Sequence, residues 1–425
     1  MANLNLKSLI PLNFMGNQPL IFICIVSILI GEYLLATVLN YLNSKRFNDP
    51  IPEELQDIYN TEEYNKSQQY KKTNYRFGLL TSTFSLVLIL SFVVLGGFKE
   101  VDNYVANTFE APLLQSLLFF GIIMIGSDLL STPLAYYQTF IIEEKFGFNK
   151  TTVKTFFLDK IKSWAMIIVI GGIILSLVFK FYQWAGTNFW WYTWILVAAF
   201  ILFMNLFYSK LIVPLFNKQT PLEDGELKWK IESYAKKVGF ELQNIFVING
   251  SKRSTKANAY FSGFGKEKRV TLYDTLINDL EDEEIVAVLA HEIGHYKKNH
   301  IVFNLIISVL LTGFMLFLLS LFINNPSISM VIGVERPSFH AALIGFGILY
   351  SPISEFTGLL MNYISRKFEY QADNFAKYTL SASPLISSLK KLSKNSLSNL
   401  TPHPAYVFMN YSHPPLINRI RNLKA

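Results

Sequence analysis

Cysteine and charge are both scarce in this chain. Its 425 residues include one cysteine, Cys24, and only six histidines. A single cysteine excludes a disulfide within the chain and a zinc site built from thiolates. Charged residues make up 16% of the sequence, whereas hydrophobic residues make up 51%. This composition is unusual for a soluble enzyme and typical of a protein that crosses a membrane several times.

A cleavable signal peptide is not predicted. The N-terminus has no basic start leading into a short apolar stretch with a small-residue cleavage site, so its first apolar run is predicted to be a retained membrane span. Seven runs are long enough to cross a bilayer. They lie near residues 19–41, 77–97, 113–137, 164–183, 190–214, 301–323 and 341–363.

Lysine and arginine are distributed unequally between the loops. Loops 42–76 and 138–163 share one side of the membrane and carry Lys45, Arg46, Lys66, Lys71, Lys72, Arg76, Lys145, Lys150, Lys154, Lys160 and Lys162. The opposite side carries only Lys7, Lys99, Lys180 and Arg336. The positive-inside rule therefore places the basic side in the cytoplasm and the N-terminus outside. It also explains the net charge of +7 without a nucleic-acid partner.

This topology divides the chain into four parts. Residues 1–214 hold the first five spans, and 215–300 form a cytoplasmic catalytic segment. Residues 301–363 hold spans six and seven, and 364–425 form a cytoplasmic C-terminal segment. The expected fold class is a mainly α polytopic membrane protein with a small α/β domain on the cytoplasmic side.

The stretch His291-Glu292-Ile293-Gly294-His295 has the pattern of a zinc hydrolase. On a helix, residues four apart share one face, so His291 and His295 can bind one metal ion. Glu292 lies on the adjacent flank, where it can take a proton from an attacking water. Acidic residues precede this predicted helix and Lys297-Lys298 close it, which matches the helix dipole. The alternative interpretation is a buried histidine pair without metal.

A catalytic zinc needs a third protein ligand. His300, nine residues after His291, is expected to face away from the metal on a continuous helix, and His340 is expected on the wrong side of the membrane. Glu369 and Asp373 are better placed, because they share one face of a predicted helix after the seventh span. Glu369 could bind the metal while Asp373 fixes the tautomer of a ligand histidine. An exposed helix whose acids pair with basic neighbours is the alternative.

Residues 258–265 and 268–273 are predicted to form two strands around a Gly-Lys turn. They would supply the small sheet on which the zinc helix packs. An exposed edge of that sheet could also hold an extended substrate backbone beside the metal. For Tyr260, the alternative to contacting substrate is a position in the core. For His413, the alternative to a catalytic role is a turn at the protein surface.

Six short segments resemble the type I CAAX prenyl endopeptidases, which are integral-membrane zinc metalloproteases of the gluzincin kind. Besides the zinc helix, these are FGFNKT at 146–151, PLFNK at 214–218, SKRS at 251–254, NAY at 258–260, EYQAD at 369–373 and YSHPPL at 411–416. Their order along the chain makes the resemblance specific.

The resemblance implies the roles of the site residues. Glu369 is the third ligand of one Zn²⁺, Asp373 lies behind the ligands, and Glu292 is the general base. Asn258, Ala259 and Tyr260 contact substrate, and Asn258 donates to its carbonyl. His413 stabilises the oxyanion, and Arg419 supports the site.

The resemblance also implies seven helices around a water-filled chamber. The acids Glu32, Asp128 and Glu355 within the spans are then expected to line that chamber.

The predicted function is therefore a zinc-dependent membrane endopeptidase that removes the C-terminal tripeptide of prenylated CAAX substrates. Alternatives are a membrane-protein quality-control protease without prenyl substrates and a transporter or channel with structural zinc. The compact form and the abundance of Lys, Asn, Ile and Phe favour a bacterial inner membrane, with the endoplasmic reticulum as the eukaryotic equivalent. A monomer is expected.

Overall fold

The computed structural model describes residues 18–242, 244–262 and 269–425. The first half of the chain contains the helices α1 (Gln18–Ser44), α2 (Thr61–Val94), α3 (Gly97–Thr108), α4 (Pro112–Tyr137), α5 (Glu144–Phe146), α6 (Val153–Met166), α7 (Gly172–Ala185), α8 (Phe189–Leu211) and α9 (Val213–Phe216). The second half contains α10 (Glu226–Lys237), α11 (Asp274–Asp279), α12 (Asp282–Lys297), α13 (His300–Phe322), α14 (Pro326–Met330), α15 (Phe339–Thr379), α16 (Ala382–Asn395), α17 (Pro404–Asn410) and α18 (Leu416–Lys424).

Six helical segments of the described chain are long and apolar enough to cross a membrane. One of them, Val153–Phe216, has 64 residues, which would extend about 96 Å as a straight helix, three times the thickness of the bilayer core. Gly186 interrupts it with a φ of 56°, and α7 and α8 pack against each other on either side of the turn. The segment is therefore long enough for two spans, and each of the seven predicted runs overlaps one of the long helices.

Two of these helices extend well beyond the predicted spans. Helix α2 begins at Thr61 rather than near residue 77, because Asn60 and Glu63 form a capping box that fixes its start. Helix α15 continues through Pro352 and includes Glu369 and Asp373 in its last turns. Its 41 residues extend about 62 Å, so one helix runs from one end of the bundle to the other.

The spans bury little of their surface inside the protein. Between 6% and 22% of the residues in the most apolar window of each segment are buried. A helix in a solid bundle buries a whole face against its neighbours, so such low burial fits spans arranged around an open interior, as the chamber requires.

The acids within the spans differ from one another. Asp128 forms a salt bridge of 2.8 Å with Lys160 and accepts from Trp164 Nε1 at 3.0 Å, and all three residues line one cavity, so its expected place on the chamber wall stays a prediction. A cationic partner removes the cost of placing an acid at this depth. Glu32 accepts a hydrogen bond from Ser351, and Glu355 is exposed.

The expected sheet is present and has four strands in the order β1-β2-β4-β3. These are β1 (Gln219–Pro221), β2 (Asn244–Ile248), β3 (Ala259–Ser262) and β4 (Arg269–Tyr273). Strands β3 and β4 pair antiparallel, and β2 and β4 pair parallel. The predicted Gly-Lys turn between residues 265 and 268 lies outside the described residues. Val270 and Leu272 of β4 pack with buried residues of α12 in the main core of this domain.

The other end of the bundle is closed by α3 and α14. Asp102 of α3 is buried and accepts from His340 Nε2 at 2.8 Å and from Arg336 Nε at 3.1 Å. His340 Nδ1 lies 3.1 Å from Ser116 Oγ of α4. His340 begins α15, and Glu369 follows 29 residues later, roughly 44 Å along the helix. His340 is therefore far from the metal centre.

Candidate metal centre

Helix α12 carries the two motif histidines into the core of the α/β domain. The side chains of Glu281 and Glu284 form a capping box at its start, and Lys391 of α16 pairs with Glu284 at 2.8 Å. Ile285, Leu289 and Ile293 are buried on the core side. The helix is thereby held at its first turn and along one face, which fixes where His291 and His295 point.

Three potential ligand atoms converge where α12 meets α15. His291 Nε2 lies 3.1 Å from His295 Nε2 and 3.5 Å from Glu369 Oε2. His295 Nε2 lies 3.2 Å from Glu369 Oε1. His291, His295 and Glu369 are the one such group of three among the described residues. The structure thus brings together two segments that are separated by two membrane spans.

Close packing of the two helices makes this convergence possible. A Cβ added at Gly294 would lie 3.0 Å from Ala372 Cα and 3.1 Å from Phe375 Cβ. Both partners are on α15, Ala372 about one turn and Phe375 nearly two turns after Glu369. The fourth residue of the His-Glu-Ile-Gly-His stretch therefore lets the backbones approach, and a side chain there would push Glu369 away from the histidines.

The other ring nitrogen of His291 is held by an acid. Its Nδ1 lies 2.9 Å from Asp373 Oδ1, and Asp373 is fully buried. Because a carboxylate only accepts, Nδ1 must carry the proton, which leaves the Nε2 lone pair for a metal. Burial would lower the pKa of His291, but the hydrogen bonds with Asp373 and Glu369 raise it to about 9. The pocket therefore favours a positive charge at this position.

His295 is held by a second histidine. Its Nδ1 lies 3.0 Å from His300 Nδ1, and His300 Nε2 lies 2.8 Å from Gln371 Oε1. The amide oxygen of Gln371 accepts, so His300 Nε2 carries a proton. A neutral imidazole carries only one proton. The Nδ1 of His300 must then accept from His295 Nδ1, and the Nε2 of His295 is again left with a lone pair.

The prediction that His300 faces away from the metal centre is wrong. It assumed that one helix continues through residue 300, whereas α12 ends at Lys297 and Asn299 adopts a left-handed φ of 58°. A new helix starts at His300 and turns its ring back toward His295. Asn299 was the available signal, because asparagine tolerates the left-handed conformation that ends helices. Gln371 has no comparable signal in the sequence.

The donor set fits zinc. Ligands about 2.0–2.1 Å from a tetrahedral zinc lie about 3.3–3.4 Å apart, close to the 3.1–3.5 Å separations measured here. Two imidazole lone pairs and a carboxylate face one another, an arrangement that repels unless a cation lies between them. Glu369 Oε2 is buried and has no hydrogen-bond partner among the described residues. The guanidinium of Arg419, at 3.4 Å, offsets part of its charge, and a bound cation would supply the missing close partner.

Glu292 lies beside the edge strand of the sheet. No hydrogen bond or salt bridge within the described residues engages its carboxylate. Ala259 and Tyr260 of β3 line the same narrow crevice as Glu292. In the described sheet β3 is an edge strand, so its outer side is available to an extended peptide that would run past Glu292.

The residues predicted to contact substrate differ in their surroundings. Asn258 is exposed, and its Oδ1 accepts from the backbone N–H of Ala259 at 2.9 Å, which leaves the amide N–H groups free of described partners. The hydroxyl of Tyr260 lies 3.2 Å from Ser209 Oγ of α8. The hydroxyl of Tyr260 is thus in contact with a membrane span, and the side chain is half-buried.

The C-terminal segment adds two residues to the centre. Arg419 donates to both oxygens of Asp373, at 2.9 and 2.6 Å, and its Nη1 lies 3.4 Å from Glu369 Oε2. His413 Nε2 lies 3.2 Å from Glu369 Oε1, although most of its ring is exposed. His403 is elsewhere, where it caps α17 by accepting from Ala405 N.

Comparison with known proteins gives the same result along the whole chain. The family described as CAAX prenyl protease N-terminal, five membrane helices, matches residues 40–218, and peptidase family M48 matches residues 221–425. The chain is 36% identical over 423 residues to CAAX prenyl protease 1 of Saccharomyces cerevisiae, covering 93% of each protein. It is 33% identical over 424 residues to the Homo sapiens homolog, covering 88% of each.

A solved structure shares the fold. The crystal structure of S. mikatae Ste24p superposes with a TM-score of 0.90 at 36% sequence identity. The match covers 95% of this chain and 99% of that one. The similarity therefore includes both the membrane spans and the domain that holds the three converging side chains.

Proposed function

Because the chain belongs to the CAAX prenyl proteases of peptidase family M48, we propose that this integral-membrane metalloprotease holds one zinc ion between His291, His295 and Glu369. Its reaction is hydrolysis of a peptide bond near the membrane surface. The observation that carries the proposal is the convergence of two imidazole nitrogens and a carboxylate oxygen. The other nitrogen of each imidazole is already engaged in a hydrogen bond. Three acceptor atoms this close together repel one another, and a cation between them removes that repulsion.

The proposed mechanism assigns proton transfer to Glu292. When bound, zinc would polarise the scissile carbonyl and lower the pKa of the attacking water. Glu292 takes the proton as the water oxygen bonds to the carbonyl carbon, and it delivers that proton to the leaving amine as the C–N bond breaks. Its position on the exposed flank of α12, free of described partners, suits both transfers.

The surrounding residues position the reacting groups. We propose that Asp373, clamped by Arg419, keeps His291 in the required tautomer, and that His300 does the same for His295. His413 donates to the oxygen that becomes negative in the transition state. Asn258 donates to a substrate carbonyl beside β3, where Ala259 and the Tyr260 backbone extend the peptide.

The proposed substrate is the C-terminus of a prenylated CAAX protein, from which the enzyme removes three residues. The relatives named above support this substrate class. The lipid would enter from the bilayer between the spans. In a bacterial inner membrane, which the compact chain favours, damaged membrane proteins are the alternative substrates, because bacteria generally lack prenylated CAAX proteins.

We further propose an orientation and a division of the chain. The basic loops and the α/β domain face the cytoplasm, and the N-terminus lies outside. Residues 1–214 and 301–363 form the membrane part, and 215–300 and 364–425 form the two halves of the catalytic domain. A monomer contains every residue of the proposed site.

A peptide-cleavage assay tests the function. Purified protein is incubated with a farnesylated CAAX peptide and with its unprenylated twin, each with and without a metal chelator. We expect chelator-sensitive release of the C-terminal tripeptide from the farnesylated peptide, and recovery on adding zinc. Glu292→Gln should abolish cleavage while zinc content and the melting temperature stay at wild-type values.

The assay also separates the competing functions. Cleavage of both peptides at equal rates would support a general quality-control protease. Wild-type cleavage by Glu292→Gln would refute the mechanism, whereas four protein ligands seen by metal spectroscopy would favour structural zinc. The described residues offer three ligands, which leaves one position for water.

A further inference from the structure

A basic groove lies where two spans leave the membrane on the side of the zinc domain. It has a volume of about 650 Å³, and its cations are Lys162, Lys210, Lys218, Lys252 and Arg269. No acidic residue is among the described residues that line it. Lys162 belongs to α6, Lys210 to the last turn of α8, and Lys218 follows α9. The groove therefore joins the membrane bundle to β1, β2 and β4 of the sheet.

The cations of this groove differ from others on the same side of the protein. Six basic residues outside the groove form salt bridges: Lys160 with Asp128, Arg253 with Asp159, Lys256 with Glu143, Lys390 with Asp57, Lys391 with Glu284 and Lys394 with Glu63. In contrast, Lys162, Lys218, Lys252 and Arg269 have no salt bridge to any residue that the structure describes. The positive-inside rule explains an excess of cations, but it does not require that four of them share one groove that no described acid lines.

Two of these cations are held in place by uncharged groups. Lys162 Nζ donates to the backbone oxygen of Leu215 at 2.8 Å. The guanidinium of Arg269 lies 4.6 Å from the ring centre of Phe246. These contacts hold both side chains in place. Neither contact neutralises a charge, so both cations can still bind an anion. Preorganised cations bind an anion with a smaller entropic cost than freely moving ones.

Apolar side chains border the groove on its membrane side. Leu215, in the short helix after α8, lines the groove and is 49% exposed, and Leu211, four residues earlier at the end of α8, is 50% exposed. A soluble anion such as phosphate has no apolar surface that could pack against these side chains. An acidic phospholipid would place its phosphate among the cations and its acyl chains along the leucines, which is the pattern of headgroup sites beside membrane helices.

We propose that this groove binds the phosphate headgroup of an acidic phospholipid in the leaflet next to the zinc domain. The site is separate from the metal centre, and it does not depend on the identity of the peptide substrate. A bound lipid would tie α6, α8 and the sheet together at the membrane surface, next to the segment that leads into β1.

Lipid binding by the zinc-loaded full-length protein tests the proposal. The protein is purified in a neutral detergent and titrated with dioleoylphosphatidylglycerol or dioleoylphosphatidylcholine, and bound lipids are counted by native mass spectrometry. We expect preferential binding of the acidic lipid, weakened by added salt. The triple variant Lys162→Gln, Lys218→Gln and Arg269→Gln should bind it on the order of 100-fold more weakly, about fivefold for each cation.

A matched variant controls for the change in net charge. Lys236→Gln, Lys298→Gln and Lys377→Gln remove three cations that have no described salt bridge and lie outside the groove, and binding should stay within about twofold of wild type. Equal loss in both triple variants, or equal binding of the two lipids, would overturn the proposal. Complete displacement by 10 mM inorganic phosphate, a roughly cellular concentration, would assign the groove to soluble anions instead.

A single substitution covers the case in which the triple variant does not fold. The side chain of Lys218 is exposed and makes no described contact, so Lys218→Gln should leave the melting temperature unchanged. It should still weaken binding of the acidic lipid about fivefold, and Lys218→Arg should restore it. Unchanged binding by a folded Lys218→Gln protein would contradict the assignment.

Discussion

At the scale of single residues, the metal centre depends on where two protons lie. A histidine binds a metal only through a nitrogen that carries a lone pair, so its other nitrogen must keep the proton. Asp373 enforces this for His291, and His300 enforces it for His295. The two devices differ, because a carboxylate adds negative charge to the centre and a neutral imidazole does not. His291, which is paired with the carboxylate, is therefore a stronger electron donor to the metal than His295.

Replacing His300 tests this arrangement. His300→Ala leaves His295 Nδ1 without its acceptor and frees the ring to adopt either tautomer. We expect zinc affinity to fall by about 10- to 100-fold, the usual effect of losing a group behind a metal ligand. Competition with a chromophoric chelator measures the affinity independently of activity.

Two variants control for the loss of a histidine. His300→Asn keeps an acceptor oxygen and should recover part of the affinity. His403→Ala removes a histidine that only caps α17, and zinc binding should be unaffected. If His300→Ala and His403→Ala bind zinc equally well, the role given to His300 is wrong.

Spacing along one helix made His291 and His295 predictable as a pair, and it placed Glu292 on their flank. Glu369 follows His295 by 74 residues, so no local period could connect them. Residue types alone left an exposed helix open as the alternative, and the family resemblance was needed to favour a ligand. The role of His300 was missed because it depends on the backbone angle of one residue, Asn299.

At the scale of elements, the closest contact of the site is between helices α12 and α15. Glycine at position 294 brings a backbone against Ala372. A methyl group there would separate the helices by a few tenths of an ångström or more, and the three ligand atoms would move apart. Catalytic geometry tolerates little displacement, since an error of about 1 Å can cost 100-fold in rate.

We therefore expect Gly294→Ala to lower kcat/KM by at least about tenfold, with weaker zinc binding. Gly347→Ala is the matched control, because a Cβ at Gly347 of α15 meets nothing within 4 Å. It should retain wild-type kcat/KM and zinc affinity. Wild-type kinetics for Gly294→Ala would show that the helices do not need this close approach.

Helices were predictable where their residues were apolar, and less so where polar residues continued them. The first sixteen residues of α2 are polar or tyrosine, so the helix begins sixteen residues before the apolar run that predicted its membrane span. The capping pair Asn60 and Glu63 was a sequence signal for the true start. Helix α3 was not predicted, because twelve amphipathic residues between two spans resemble a loop in a search for membrane segments.

At the scale of the whole molecule, α15 joins two polar clusters at opposite ends. His340 lies in the buried cluster with Asp102, and Glu369 lies in the metal centre, with roughly 44 Å of helix between them. The far cluster pins α3 to α15 without touching any site residue. Its contribution should therefore be to the stability of the bundle and not to catalysis.

Asp102→Asn tests this separation. It removes the charge that pairs with Arg336 and weakens the hydrogen bond to His340. Loss of a buried, charge-assisted partner should lower the free energy of unfolding by about 1–3 kcal/mol, measured as a lower melting temperature. Zinc affinity and kcat/KM of the folded fraction should equal those of the wild type, and a large loss of either would contradict the separation.

The same variant has a defined pH dependence. Burial would raise the pKa of Asp102, but hydrogen bonds from His340 and Arg336 hold it below its ordinary value. The stabilisation from this ionised carboxylate is complete above the pKa of the unfolded chain, about 3.9, and is lost as the pH falls through the lower folded pKa. The difference in melting temperature between wild type and Asp102→Asn should therefore disappear in strong acid.

The long interval between the two halves of the centre also affects how the enzyme is made. A ribosome releases His291 and His295 before it has synthesised α13, α14 and α15. Glu369 becomes available only after the last span, and Arg419 follows it by 50 residues. A partly made chain therefore has two loose imidazoles and no complete metal site, so proteolytic activity begins only after membrane insertion has finished. Truncated products of aborted translation would remain inert by the same logic.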